Sequence, residues 1–261
     1  MLNPPDPPLP DPSSPTGYAR PEAVAALHDA LPSLDTTTGL LHAAIAVAYH
    51  IEPDRSHRDA ERLADHLDDT VGSILETCQS GARQALLAHA HERLFQDLGL
   101  RGAQEDYHHP RNSSIFHVMD HHTGLPILLV LFYKAVLDAL EVPTVGINAP
   151  GHFLAGVCET DDAAADGPHH LQDPSAFTLI DVFNQGRLLS HAEARHAITA
   201  SLDLHAGTGH PGLIGNPLPI ASHSDWLLRI LRNLINSYRQ QGEPENVLAI
   251  AELQQLVEAH R

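Results

Sequence analysis

Seven consecutive apolar side chains, Ile127 to Tyr133, follow Pro126, and they constrain this protein more than any other stretch. A helix turns by about 100° per residue. A run this long therefore leaves no face for water, and Pro126 to Leu140 reads as a helix enclosed by a core. Pro126 suits the first turn, where its missing N–H would have no partner in any case. A membrane span needs about eighteen apolar residues or more, which no stretch of the sequence supplies, so no membrane partner is expected.

The rest of the chain has to build that enclosure, and 261 residues with 43% hydrophobic content are enough to do so. Residues 1–16 (MLNPPDPPLPDPSSPT) hold seven prolines and no apolar h-region, so they read as a disordered tail, neither signal peptide nor anchor. Residues 17–100 read as a helical N-terminal region. Pro21 opens a helix to Ala30; others run over Leu40 to Tyr49, His57 to Leu75 and Ala82 to Leu98. A polar loop (GAQEDYHHPRN) then leads to a short helix from Ser113 to His122, capped by Asn112 or Ser113 and stopped at Gly124.

After the buried helix come three strand-like pieces, Thr144 to Ile147, His152 to Cys158 and Thr178 to Phe183, separated by Pro-Gly and by the polar loop Glu159 to Ser175. They predict a small, mainly antiparallel sheet. Beyond Ser190 the sequence returns to helix, passes a Gly/Pro-rich loop from Ala206 to Pro219, and ends in a helical hairpin. Leu227, Ile230, Leu231, Leu234, Ile235 and Tyr238 share one face, Gly242 breaks the hairpin, and Pro244 opens its last helix. The predicted class is α+β, with 17–100 helical, 101–200 a mixed core, and 201–261 a loop and hairpin.

Acidic residues outnumber Lys plus Arg by 33 to 15, and a net charge of −18 without a basic stripe argues against nucleic acid as a partner. The two cysteines, Cys78 and Cys158, form no CxxC motif and imply no disulfide framework, so a cytoplasmic location is the expectation. The 21 histidines make the charge strongly pH-dependent near 6.5.

The motifs EDYHHPRNSS, HHTGLPILLVLFYKAV, NAPGHFLAGV and LIDVFNQGRLL, between Gly102 and the strand region around Phe183, resemble the SirB-type transglutaminase-like family. That resemblance implies a helical N-terminal region, a reduced transglutaminase-like (papain-like) core, and a tetratricopeptide-like tail, which the Tyr238 to Gly242 spacing also fits. Active relatives place a cysteine at the start of a buried helix, with a histidine and an aspartate on two following strands. The thiolate attacks an amide carbonyl, the imidazole moves the proton, and the carboxylate orients the imidazole. Here those positions are Pro126, His152 and Asp181. Proline offers no nucleophile, so no catalytic residue is expected, and the resemblance implies a pseudoenzyme that binds a protein or peptide partner without a cofactor. Arg111, Asn112, His152 and Asp181 are the candidate binding residues.

Could another group replace the missing thiol? Cys158 lies six residues beyond His152, about 20 Å along a regular strand at roughly 3.3 Å per residue. Cys78 reads as a small buried hydrophobe and Ser113 as a helix cap. The alternative is a hydrolase or transferase built on an unrecognised nucleophile or a metal in the His108 to His122 cluster. His117 and His121 lie four residues apart with Asp120 between them, as in an inverted zincin with aspartate replacing glutamate, and His108 or His109 could supply a third ligand. A solvated helical face is the preferred reading, so no metal is expected.

Overall fold

The computed structural model describes residues 17–149, 151–158, 177–196 and 218–261. The Pro-rich tail and the polar loop Glu159 to Ser175 lie outside these residues, as does most of the Gly/Pro-rich loop, 206–217. The fold opens as a helical layer: α1 Pro21–Ala30, α2 Thr37–Ile51, α3 His57–Thr77 and α4 Arg83–His91. Their starts follow local chemistry. Pro21 occupies a first turn, Thr36 accepts a hydrogen bond from Gly39 N at 2.9 Å, and Ser56 with Asp59 forms a reciprocal capping box. The fourth helix does not run on regularly toward Leu98; beyond His91 it widens into a π-helical turn over Glu92–Asp97.

Strand β1, Arg101–Gly102, pairs in parallel with β2, Thr123–Gly124, and between them lies α5, Ile115–His121. Its cap is Ser114, which accepts from His117 N at 3.4 Å, and not Asn112 or Ser113. Asn112 and Ser113 are already committed to a 3-10 turn over Pro110–Ser113, so the first residue free to adopt the extended capping conformation is Ser114. The helix stops at His122, which takes the left-handed conformation at φ +53°.

Helix α6, Pro126–Ala139, is the axis of the molecule, with Ile127, Leu128, Leu129, Val130, Leu131 and Phe132 all buried. It touches α2, α3, α4 and α5 as well as the sheet. Its one buried cation, Lys134, donates to Asp138 at 2.7 Å and to Thr144 O at 2.5 Å. Asp138 in turn accepts from Thr37 Oγ1 at 2.6 Å and from Thr144 N at 3.1 Å, which joins α2, α6 and the first long strand.

That strand, β3 Thr144–Ile147, begins an antiparallel meander with β4 Leu154–Val157, β5 Thr178–Asp181 and β6 Arg187–Leu189, in the order β3-β4-β5-β6. Register pairs Ile147 with Leu154, Ala155 with Ile180, and Ile180 with Leu188. Alternation then divides the faces. Ala155, Val157, Ile180 and Val182 join the main core with α6, whereas Ile147, Leu154 and Leu179 form a smaller cluster on the opposite face with Ala149, Ala194 and Leu218.

The C-terminal hairpin is α7, His223–Gln241, and α8, Pro244–His260, with Gly242 between them at φ +72°. Trp226 on α7 is fully buried, and its indole donates to Ile127 O at 3.1 Å. Gly146 is required beside it, because a Cβ there would lie 2.4 Å from the Trp226 ring. Among the described residues no helix is long and apolar enough to cross a membrane.

Candidate functional site

Pro126 stands at the N1 position of α6, half-buried, and Leu125 before it is anchored by its N–H to Asn112 O at 2.9 Å. Asn112 is buried. Its side-chain amide donates to Asp106 O at 2.8 Å and Tyr107 O at 3.2 Å, so it organises the loop that leads to α6. Arg111 points outward instead, 3.8 Å from Asp106 and half-exposed.

His152 and Asp181 line one cleft of about 310 Å³, together with Leu154, Asn184, Arg187 and Glu193. Asp181 is the residue after core-facing Ile180, so it projects from the face that carries the smaller cluster. No hydrogen bond or ion pair joins His152 to Asp181. Asp181 accepts instead from Asn184 N at 3.2 Å and from Asn184 Nδ2 at 2.7 Å. The reason lies in the turn. Gly151 adopts φ +71° and His152 N donates to Ala149 O at 3.1 Å, which keeps His152 ahead of β4, whose pairing starts at Leu154. Pro126 is not among the residues that line this cleft.

The alternative nucleophiles sit elsewhere. Cys78 is buried at the end of α3, with Sγ donating to Ser80 O at 3.1 Å, and Cys158 is buried just past β4. In the histidine-rich segment, His117 and His121 stack with ring centroids 4.3 Å apart, while His108 packs edge-on against Tyr107. Asp120 is bound to Arg55 at 2.5 Å and lies 3.7 Å from Arg62, so two guanidiniums hold the carboxylate between the histidines. Burial, reinforced by the neighbouring His121 and Arg111, drives the His117 imidazole down to about 4, which keeps it neutral at pH 7. Among the described residues no three His, Cys, Asp or Glu side chains are grouped to hold a metal ion.

A further cation lies against the turn between β3 and β4. Arg229 follows Trp226 by three residues, and its guanidinium packs 5.3 Å from the Phe153 ring centroid. Nη1 donates to Asn148 Oδ1 and, at 3.0 Å, to Ala149 O. Among the described residues no carboxylate pairs with it. Burial presses Arg229 down to about 10, with Tyr107 working against the shift and Arg232 adding to it, and the group remains charged at neutral pH. Tyr107, whose ring meets Phe183 edge-on at 6.0 Å, is 40% exposed, so this corner opens to solvent. In the sequence Arg229 looks like a solvent-facing position on an amphipathic helix; the apolar residues flanking it gave no sign of the Asn148 and Ala149 acceptors, which come from a distant turn.

The family model described as the transglutaminase-like superfamily matches residues 61–232. A UPF0162 protein of Xylella fastidiosa (strain 9a5c) is 31% identical over 214 residues, covering 78% of this chain and 66% of that protein. The UPF0162 protein PA3419 of Pseudomonas aeruginosa is 27% identical over 222 residues, covering 84% of this chain and 71% of that one. F-box only protein 21 of Homo sapiens is 30% identical over 105 residues, 40% of this chain and 16% of that protein. The chain thus spans a little under two thirds of the length of the Xylella relatives it matches. No solved structure gives a significant match.

Proposed function

The chain belongs to the transglutaminase-like superfamily, and from that premise we propose that it is a non-catalytic, SirB-type member, working in the cytoplasm as a scaffold or regulator that binds a protein or peptide partner. In this reading α7 and α8 serve as a tetratricopeptide-like unit, and the cleft lined by His152 and Asp181 serves for binding without bond cleavage.

One observation carries the reading: the N1 position of the enclosed helix, where the family's acyl-transfer chemistry requires a thiolate, is held by proline. Two further features support it. Asp181 accepts from Asn184, and among the described residues no carboxylate is bonded to the His152 imidazole as a catalytic carboxylate would be. The polar lining of the cleft, with Arg187, Glu193 and His152, offers hydrogen-bonding groups to an extended peptide.

The test has a chemical half and a binding half. Purified protein given a glutamine-containing peptide and a labelled amine should incorporate no more label than the His152→Ala variant. Turnover that His152→Ala abolishes would overturn the non-catalytic reading. Immobilised peptide arrays should retain the wild-type protein on a sequence-selective subset, and retention should fall when Asp181→Ala opens the cleft lining. Uniform or absent retention would remove the binding role.

A further inference from the structure

Arg229 is a half-buried cation without a carboxylate partner among the described residues, a costly arrangement unless something else meets its charge. Its surroundings are built. Asn148 and Ala149 hold Nη1, the Phe153 ring supports the guanidinium plane, and Trp226, one turn earlier on α7, is pinned by its bond to Ile127 O next to Pro126. With both of these bonds made by Nη1, Nε and Nη2 keep their donors among the described residues, which is the planar fork that matches two carboxylate oxygens. Neutral hydrogen bonds to an amide and a carbonyl fix the fork's direction without cancelling its charge. Tyr107 adds a hydroxyl-bearing ring at the solvent side.

The overall charge makes this position selective. A protein at −18 repels anions from most of its surface, so a carboxylate gains from a short-range, directional cation and little from the long-range field. A bidentate fork also favours planar carboxylate over spherical halide.

We propose that Arg229 is the recognition residue for a carboxylate carried by a peptide, bound at the corner formed by Asn148, Phe153 and Tyr107. This deepens the peptide-binding reading and rests on it for the nature of the molecule that carries the carboxylate. The carboxylate has two sources, an acidic side chain or a free C-terminus, and both present the same chemistry to the fork.

The experiment follows the Arg229 Nε–Hε resonance by NMR in the full-length protein, assigned by its absence from Arg229→Lys. Three N-acetylated alanine pentapeptides serve as probes: one C-amidated with central glutamate, one C-amidated with central glutamine, and one all-alanine with a free C-terminus. Succinate is titrated separately against sodium chloride at equal ionic strength. The glutamate peptide, the free-acid peptide, or both should shift the resonance saturably, identifying the source, while the glutamine peptide should not. Arg229→Gln should weaken the active peptide at least tenfold. Equal shifts from chloride and succinate, or equal affinity for the glutamate and glutamine peptides, would overturn the carboxylate assignment while leaving peptide binding intact. A saturable succinate response with no response to either acidic peptide would keep the anion site and refute a peptide as its ligand. The wild-type resonance reports directly, so the result stands even if Arg229→Gln fails to fold.

Discussion

Adding one methyl group at Gly146 should destabilise the fold, and the same addition at Gly72 should stabilise it. At Gly146, in β3, the new Cβ would lie 2.4 Å from Trp226 Cζ3 and 2.8 Å from Phe153 Cζ, against about 3.5–4.0 Å for a relaxed carbon contact. Relief requires a shift of about 1 Å in a fully buried indole whose N–H is bonded to Ile127 O at 3.1 Å. Overpacking of this kind costs about 1–3 kcal/mol, and a weakened buried hydrogen bond adds about 1 kcal/mol. Gly146→Ala should therefore lose about 2–4 kcal/mol. Gly72 lies inside α3 with nothing within 4 Å of an added Cβ, so Gly72→Ala should gain up to about 1 kcal/mol from helix propensity and reduced unfolded-state freedom. Urea denaturation followed by circular dichroism gives both differences. The emission of Trp226, the protein's single tryptophan, reports whether the indole has moved. A Gly146→Ala protein within about 0.5 kcal/mol of wild type, with unchanged emission, would refute the packing argument.

Acid should destabilise the protein well before its carboxylates titrate. Burial lowers the imidazoles of His50, His66, His117, His122 and His223, so the native state binds fewer protons than the unfolded state once pH falls below about 6.5. For His117, shifted to about 4, the ceiling is about 3.4 kcal/mol, reduced to roughly half by its partial exposure. Urea midpoints should fall steadily from pH 7 to pH 4, and His117→Gln should flatten that slope; a midpoint independent of pH across this window would contradict the assignment. At the Lys134–Asp138 pair, Asp138→Ala should cost about 3–5 kcal/mol by leaving the ammonium buried with Thr144 O alone, whereas Lys134→Met should cost much less, and equal losses in denaturant melts would show that the buried charge is not the cause.

Elements punctuated by their own residues were legible in the sequence. Pro21 marks α1, Pro126 marks α6, and β3 occupies Thr144–Ile147 as the β-branched alternation indicates. Elements defined by distant partners were not. β1 and β2 are two-residue strands whose pairing depends on the fold around them, and β6, with Arg187 and Leu188 exposed, has too little buried alternation to declare itself. The site divides in the same way. Alternation along LIDVF and the position of GHF bring Asp181 and His152 to a common cleft, but the turn at Gly151 and the capture of Asp181 by Asn184 are matters of backbone geometry that composition does not encode. Arg229 is the clearest case: what distinguishes it is a set of acceptors some 80 residues earlier in the sequence.

The enclosure of α6 also determines how the protein opens. Its amides are shielded by α2, α3 and α4 on one side and by the sheet and α7 on the other, so no single neighbour can swing away and expose them. Solvent reaches them only when the molecule comes apart as a whole, which makes α6 the slowest-exchanging segment in deuterated water. The N-terminal helices share that fate: cut away, α2 and α3 would present to water the faces that now cover α6, so the helical layer and the sheet gain their stability jointly and lose it in one step.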